Sequence, residues 1–267
     1  MNPTLLVAVD SIRALLHRRL LVALMLALLG LTAVFSVTVT KVKNSILEAS
    51  ELAAGISDGE LTEAEQEQAR QGIDQAGSFF LAGFYWFSAF GGTVVALFIC
   101  CTAVASDLRR GTIHMILAKP VTRSQFLIGK YCGAIAVLFG YSLLAGIALV
   151  IFTQVNDLEL NLAARYAPWL MFCQSLMVGS VAMLLSLLLH PLLAAVVAFF
   201  ASAGFFSSPN PLYFVLPSYD QFNVFGLIMN GRLIALEDIL TLTIYAFDVA
   251  AIFLLLALWR FRSRELI

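Results

Sequence analysis

The sequence predicts an all-helical protein that crosses a membrane several times. Of its 267 residues, 61% are hydrophobic and only 12% are charged, whereas soluble domains carry about 25% charged residues. Several apolar stretches reach the roughly 20 residues that a helix needs to cross a bilayer. Composition and stretch length together exclude an ordinary soluble domain, and we expect no nucleic-acid partner. They predict a polytopic membrane protein.

Hydropathy predicts six transmembrane helices. The fourth and fifth are separated at His190-Pro191, because the apolar run from 169 to 206 is too long for one crossing. The first run is retained rather than cleaved as a signal peptide, since it is longer than a signal-peptide core and lacks a small-residue cleavage site. The predicted spans are 20–39, 80–105, 130–152, 169–190, 192–206 and 239–259.

Residues 1–19 predict an amphipathic helix in the membrane interface. Asn2-Pro3 is a favourable helix start, with a cap residue followed by proline. Apolar residues from Leu5 to Leu16 recur near helical spacing, while Asp10 and Arg13 lie off that stripe. An extension of the first span into the cytoplasm is the alternative.

The charges predict which side of the membrane each segment occupies. With the N-terminus inside, eleven of the 16 basic residues are cytoplasmic and 13 of the 17 acidic residues are exterior. The positive-inside rule favours this orientation. Both termini are then cytoplasmic, as an even number of spans requires.

Two segments on the predicted exterior side are unusual. Residues 40–78 form a long polar stretch, in which Thr62 and Glu65 have the spacing of a capping box that opens a helix to about Gln75. We expect two short exterior helices there, which dock a partner, gate an exit or only join two spans. Residues 207–238 are rich in proline and aromatic residues. They predict a re-entrant pair of short exterior helices before the last span, since irregular backbone at membrane depth must be buried in protein or face a cavity.

The loop of residues 106–130 is the most informative part of the chain. Gly111-Thr112 permits a sharp turn, and the next residues form the apolar face of a short helix that needs a partner groove. Pro120 ends this helix, and Thr122 with Gln125 forms a capping box that starts the third span. The residues alone leave two readings open, which are a rigid element that binds a partner and an ordinary interfacial hairpin held by lipid headgroups.

The residue order in this loop resembles that of the membrane subunits of ABC-2 type ABC transporters. The matching positions are Asp107, Gly111-Thr112, Pro120 to Arg123 and Gly129-Lys130. The segment from Leu216 to Asn223 also resembles one found in NosY-type permeases. By this resemblance, residues 106–130 are the coupling loop. Its ATPase-coupling residues are Asp107, Arg109, Arg110, Gly111, Thr112, Ile113, Ile116, Leu117, Pro120, Thr122 and Arg123.

The resemblance implies a permease of the bacterial cytoplasmic membrane that dimerises with a second copy or a paralogue. It also implies two cytoplasmic ATPase subunits, with ATP and Mg²⁺ bound there. This chain has no nucleotide-binding loop, because Gly129-Lys130 is followed by Tyr131. We therefore expect a transport subunit that is not itself an enzyme and binds no cofactor. We also expect no metal site, because the three histidines lie far apart.

The candidate substrate path consists of aromatic and polar residues inside the spans. Asp248 is the only acid within a span and should face water or the protein interior, because a carboxylate at the bilayer centre is costly. Its role is either a substrate or proton site or a hydrogen bond to a neighbouring helix. Aromatic residues are dense at the start of the second span. The candidates are Phe84, Tyr85, Phe90, Gln174 and Asp248.

Two functions from different classes fit this sequence. The first is a permease that exports a hydrophobic or amphipathic molecule. The second is a permease that transmits ATPase work to an exterior accessory protein, which the length of 40–78 favours. A secondary transporter is weaker, because the chain has neither an inverted repeat nor more ionisable residues in its spans. Lipid is the remaining expected partner, and the four cysteines are expected to be small buried apolar residues.

Overall fold

A computed structural model describes residues 3–16, 19–56, 63–109, 122–156, 158, 162–202 and 217–263. These ranges are helical and contain no strand, which confirms the all-helical prediction. The elements are α1 (Pro3–Leu16), α2 (Arg19–Ile56), α3 (Glu63–Arg109), α4 (Arg123–Val155), α5 (Leu162–Leu188), α6 (Pro191–Ser202), a 3-10 turn (Asp220–Phe222), α7 (Phe225–Met229) and α8 (Leu236–Ser263).

Four helical segments are long and apolar enough to cross a membrane, counting only the described residues. Helix α6 is apolar but shorter. The predicted first span, 20–39, falls within α2, whose side chains are described only in part. The multi-pass membrane class is therefore shown, while the number of six spans remains a prediction. The four segments are Arg70–Ala103, Arg123–Val155, Leu162–Leu188 and Leu236–Ser263.

Helices α2 and α3 continue without a break into the polar segment 40–78. The prediction of two separate short helices there is wrong, because each polar stretch extends a spanning helix. The polar residues in this segment do not stop a helix, since its hydrogen bonds propagate along the backbone regardless of side-chain polarity. Gly77 does not break α3 either. A Cβ at this position would clash with the Leu158 side chain, so glycine lets the connection after α4 approach. Thr62 of the predicted capping box lies outside the described residues.

Helix α5 is the central helix of the bundle. Most of its side chains are buried, and it packs against α3, α4, α6 and α8. Helix α8 lies at the edge and is mostly exposed. It turns Ala246, Ala250 and Ala257 inward, and such small side chains allow close helix packing in membranes.

Helix α1 packs closely on the beginning of α4 through two glycines. A Cβ at Gly129 would lie 2.9 Å from the Thr4 carbonyl oxygen, and one at Gly133 would lie 2.8 Å from Ser11 Cβ. The outward side of α1 exposes apolar residues, among them Leu5 and Val9. A helix with this arrangement is suited to lie between protein and lipid, which supports the predicted interfacial position.

The predicted break at His190-Pro191 is confirmed. At the end of α5 the Leu189 amide donates to the Leu185 carbonyl at 2.8 Å. At the start of α6 the Ala194 amide donates to the His190 carbonyl at 2.9 Å. Of the four cysteines, Cys132 is exposed on α4, so the expectation of burial is wrong for this residue.

The described part of 207–238 begins at Pro217 and contains the 3-10 turn and α7. Helix α7 packs against α3 and α5, so short helices do precede the last span. Gly231 supplies a positive φ of 61° in the turn before α8, a conformation that favours glycine. Residues 207–216, including the first part of the predicted re-entrant pair, lie outside the described residues.

Candidate functional site

A cleft of about 270 Å³ lies between α3, α5, α6 and the segment around the 3-10 turn. It combines aromatic side chains with hydroxyl, amide and carboxylate groups. Its lining residues are Tyr85, Trp86, Ala89, Phe90, Thr93, Gln174, Phe199, Ser202, Tyr219, Asp220 and Asn223. We call this the α3–α6 cleft.

The apolar wall of the α3–α6 cleft is built from three aromatic rings. Trp86 and Phe90 are one helical turn apart on α3, and their rings stack with centroids 6.1 Å apart. Phe199 of α6 meets Phe90 edge to face at 6.0 Å. Trp86 and Phe90 nevertheless remain 49% and 45% exposed. The wall therefore offers aromatic surface that the described residues do not cover.

The polar side of the α3–α6 cleft contains two groups without a partner. Tyr219 is buried, yet its hydroxyl makes no hydrogen bond in the described structure. Burial raises the pKa of this phenol above its ordinary value, so the group remains a neutral donor. Gln174 lies near the middle of α5, and no described residue hydrogen-bonds its amide. Such groups need water or a ligand.

The segment that carries Tyr219 is held in place from both sides. The Tyr85 hydroxyl of α3 donates to the Phe222 carbonyl at 2.7 Å. The Ser218 amide donates to the Tyr245 hydroxyl of α8 at 3.0 Å, and the Phe222 and Tyr245 rings stack. These contacts fix the segment across the bundle, which positions Tyr219 at the cleft.

The structure brings three of the five predicted substrate-path residues together. Tyr85, Phe90 and Gln174 line the α3–α6 cleft. Phe84 does not, because it points into the core and stacks on Phe152 with ring centroids 5.6 Å apart. A residue next to a lining residue on a helix points about 100° away from it, so the aromatic run could not all face one cleft.

Asp248 lies apart from the cleft, exposed on α8. The expectation that it faces water or the protein interior stays a prediction, because the structure contains only one copy of the chain. It is on the side of α8 opposite Ala246 and Ala250, which pack inward. The hydrogen bond to a neighbouring helix could use Tyr245, Tyr141 or Gln174. In the structure Tyr141 donates to the Ser88 carbonyl, Tyr245 accepts from the Ser218 amide, and Gln174 lines the α3–α6 cleft.

Several cleft residues were not predicted as site residues. Trp86 and Thr93 share the helical face of Phe90, so spacing along α3 was an available signal. Tyr219, Asp220 and Asn223 fall in the segment that resembles the NosY-type permeases. Phe199 and Ser202 of α6 had no signal in the sequence, because any side of a uniformly apolar helix can face the bundle.

The start of α4 contacts both α1 and α8. Thr122 caps α4, and the predicted capping box with Gln125 is confirmed, with the Thr122 amide 2.9 Å from Gln125 Oε1. Phe126 stacks on Phe261 at the end of α8, and Arg262 Nε donates to Ser124 Oγ at 2.8 Å. Helices α1, α4 and α8 therefore meet here, and we call this contact the α4 junction.

Most predicted coupling residues cannot be placed. Asp107 and Arg109 belong to the last turn of α3, and Thr122 and Arg123 begin α4. The others, Arg110, Gly111, Thr112, Ile113, Ile116, Leu117 and Pro120, lie outside the described residues. Their role in coupling stays a prediction.

The bundle, the cleft and the α4 junction together describe a helical protein with several helices able to cross a membrane. Among the described residues, no group of three or more His, Cys, Asp and Glu side chains is placed to bind a metal ion. A family model described as ABC-2 family transporter protein matches residues 8–266. The chain belongs to the ABC-2 family.

Membership makes the chain a multi-pass permease component of an ABC transporter, which works with an ABC ATPase subunit. The resemblance found in the sequence is thereby confirmed at the level of the family. The match does not single out the NosY-type branch. A comparison with curated proteins gave no significant match.

Proposed function

We propose that this permease exports a hydrophobic or amphipathic molecule along the α3–α6 cleft. One observation carries the proposal. A partly exposed aromatic wall faces a buried, unpartnered Tyr219 hydroxyl and the mid-helix amide of Gln174. An apolar body against the aromatic rings and a polar group near Tyr219 would satisfy both sides of the cleft.

The position of Gln174 supports this proposal. A polar side chain within a spanning helix is costly in lipid, so it should face water, protein or a ligand. Gln174 faces the cleft and has no protein partner among the described residues. A cleft that serves only packing would be expected to carry an apolar residue there. Asp248, exposed on α8, is not part of this path in the present arrangement.

We further propose that the coupling loop transmits ATP-driven motion to this cleft. In this mechanism Ile113, Ile116 and Leu117 bind a groove on the ATPase. The capped start of α4, tied to α1 and α8 at the α4 junction, moves as one piece. Closure of two ATPase subunits, which bind ATP and Mg²⁺, then favours one arrangement of two permease copies over another.

This mechanism places the coupling loop and both termini on the cytoplasmic side of a bacterial inner membrane. The excess of basic residues on that side supports the orientation. The cleft end near Tyr219 and Asp220 then opens toward the exterior.

Cysteine labelling tests whether the α3–α6 cleft admits water. Phe90→Cys places a thiol in the cleft, and Leu144→Cys places one on an outward-facing part of α4, with native exposures of 45% and 40%. Cys132→Ala removes the exposed native thiol. A membrane-impermeant maleimide should label position 90 and spare position 144, since the reactive thiolate needs water. Equal protection of both positions would refute the path.

A second function remains open, in which the permease transmits work to an exterior accessory protein. The observation that favours it is the continuity of α2 and α3 into the polar segment. Residues 40–56 alone extend about 25 Å as a helix, and they are continuous with the predicted first span in α2.

The accessory-protein function makes a different prediction. Replacing residues 49–66 by a short turn should leave ATP hydrolysis by the reconstituted transporter unchanged and abolish copurification of an exterior protein. A full-length transporter that copurifies only with its ATPase, and still exports, would refute this alternative.

A further inference from the structure

A groove on the outer surface of the bundle between α4 and α5 is separate from the proposed path. Its volume is about 500 Å³, and it shares no lining residue with the α3–α6 cleft. One wall is formed by apolar side chains of α4, including Phe139, Leu143 and Ile147, which are 41%, 52% and 56% exposed. The other wall is formed by Arg165, Pro168 and Trp169 at the beginning of α5.

The length and shape of this groove match one lipid chain. Its lining on α4 runs from Phe139 to Ile151, which spans about 18 Å along a helix. Half of the hydrocarbon core of a bilayer is about 15 Å thick. The helices approach closely at the groove floor, where a Cβ at Gly146 would lie 3.3 Å from the Pro168 ring. The groove is therefore a shallow channel along one leaflet.

The charged end of the groove supplies a site for a headgroup. Arg165 lies in the first turn of α5 and is exposed. No acidic side chain pairs with it among the described residues. Next to it, the Trp169 indole N–H donates to Thr243 Oγ1 of α8 at 3.0 Å, which fixes the ring. Tryptophan and arginine are both suited to the membrane interface, where lipid phosphates lie.

We propose that this groove binds a phospholipid, with an acyl chain along α4 and the phosphate on Arg165. A guanidinium binds phosphate oxygens through two parallel hydrogen bonds. The order of groups in the groove is that of a phospholipid, with a cation at the interface followed by apolar surface toward the bilayer centre. A helix of a second protein copy would match the apolar surface but gives no reason for a cation at this end. In the proposed orientation the lipid belongs to the outer leaflet.

Native mass spectrometry of the detergent-solubilised transporter tests this site with two probes that share their chains. Dioleoylphosphatidylglycerol carries the phosphate, and dioleoylglycerol lacks it. Arg165→Gln should weaken binding of the phospholipid about tenfold, because a hydrogen bond to a charged group is lost. It should leave binding of dioleoylglycerol unchanged. Arg165→Lys, which keeps the charge but loses the paired geometry, should fall between.

A second pair of variants tests the chain-binding part. Ile147→Trp fills the groove and should weaken both probes, whereas Leu144→Trp, on the same helix but outside the groove, should weaken neither. Arg232→Gln, an exposed cation in the turn before α8, is the control for charge. The proposal is overturned if Arg165→Gln and Arg232→Gln bind phosphatidylglycerol equally well. It is also overturned if a cysteine at position 147 cross-links to a second permease copy.

Discussion

The contact between α1 and α4 gives a sharp prediction, because adding one methyl group should have opposite effects at two glycines of the same helix. Glycine to alanine in a helix normally stabilises by about 0.5–1 kcal/mol. Gly140→Ala should show this gain, since nothing lies within 4 Å of its added Cβ. At Gly133 the same Cβ would lie 2.8 Å from Ser11 Cβ and 3.1 Å from the Ala8 carbonyl oxygen, so α1 must shift.

The expected magnitude follows from these distances. Overpacking a close contact costs about 1–3 kcal/mol. Subtracting the gain in helix propensity leaves Gly133→Ala destabilised by roughly 0.5–2 kcal/mol. A change of 1 kcal/mol shifts the midpoint of a domain of 150–250 residues by about 2–4 °C.

Thermal unfolding in one detergent measures this difference, with the wild type alongside. Gly129→Ala should behave like Gly133→Ala, because its Cβ would lie 2.9 Å from the Thr4 carbonyl oxygen. The reasoning is refuted if Gly129→Ala and Gly133→Ala unfold at the same temperature as Gly140→Ala, since α1 would then not be docked against these glycines.

Three further predictions concern the cap, the cleft and the exposed carboxylate. Thr122→Ala removes the cap of α4 and should destabilise by about 1 kcal/mol, with Thr122→Ser as the conservative control; an unchanged melting midpoint would contradict the capping box. Tyr85→Phe leaves the Phe222 carbonyl without its donor and should destabilise by about 1 kcal/mol. Tyr166→Phe is the control, because it breaks no hydrogen bond of the described residues; equal melting midpoints for the two variants would contradict the claim that Tyr85 holds the segment around Tyr219. Asp248→Asn should move the midpoint by less than about 2 °C, because the side chain is exposed and unpaired within the described chain; a larger drop would show that another group contacts it.

The local features that the sequence predicted well are those set by short-range chemistry. The capping box at Thr122 and Gln125 was readable because it needs only two residues at fixed spacing. The break at His190-Pro191 was readable because proline has no amide hydrogen to continue the helix. The family was readable because the matching residues keep their order within one segment, 107–130.

Features that depend on packing were predicted less well. The polar parts of α2 and α3 were taken for separate short helices, because a change of composition resembles a boundary even where no residue stops the helix. The sequence also did not show that Phe84 packs in the core, or that Asp248 lies on the exposed side of α8. Every side of an apolar spanning helix can face protein or lipid, so the neighbouring helix decides which side is buried. Helix α8 packs on α5 and buries its own alanines there.

The groove between α4 and α5 lies beyond what the sequence alone could indicate. It arises where Gly146 and Pro168 let two helices approach while the larger side chains beside them stand apart. The residues that form it are distant in sequence and individually ordinary. In the sequence, Arg165 carries no signal beyond its position in a predicted exterior loop.

The most direct test of the account is whether ATP changes the α3–α6 cleft through the coupling loop. Maleimide labelling of Phe90→Cys, in a Cys132→Ala background, should differ between nucleotide-free transporter and transporter trapped with a non-hydrolysable ATP analogue. Introducing Ile113→Glu and Ile116→Glu should abolish that difference, while Leu233→Glu, at an exposed position before α8, should preserve it. The account is contradicted if labelling is the same with and without the ATP analogue when the loop is native. It is also contradicted if labelling still changes with the analogue after both glutamates are introduced.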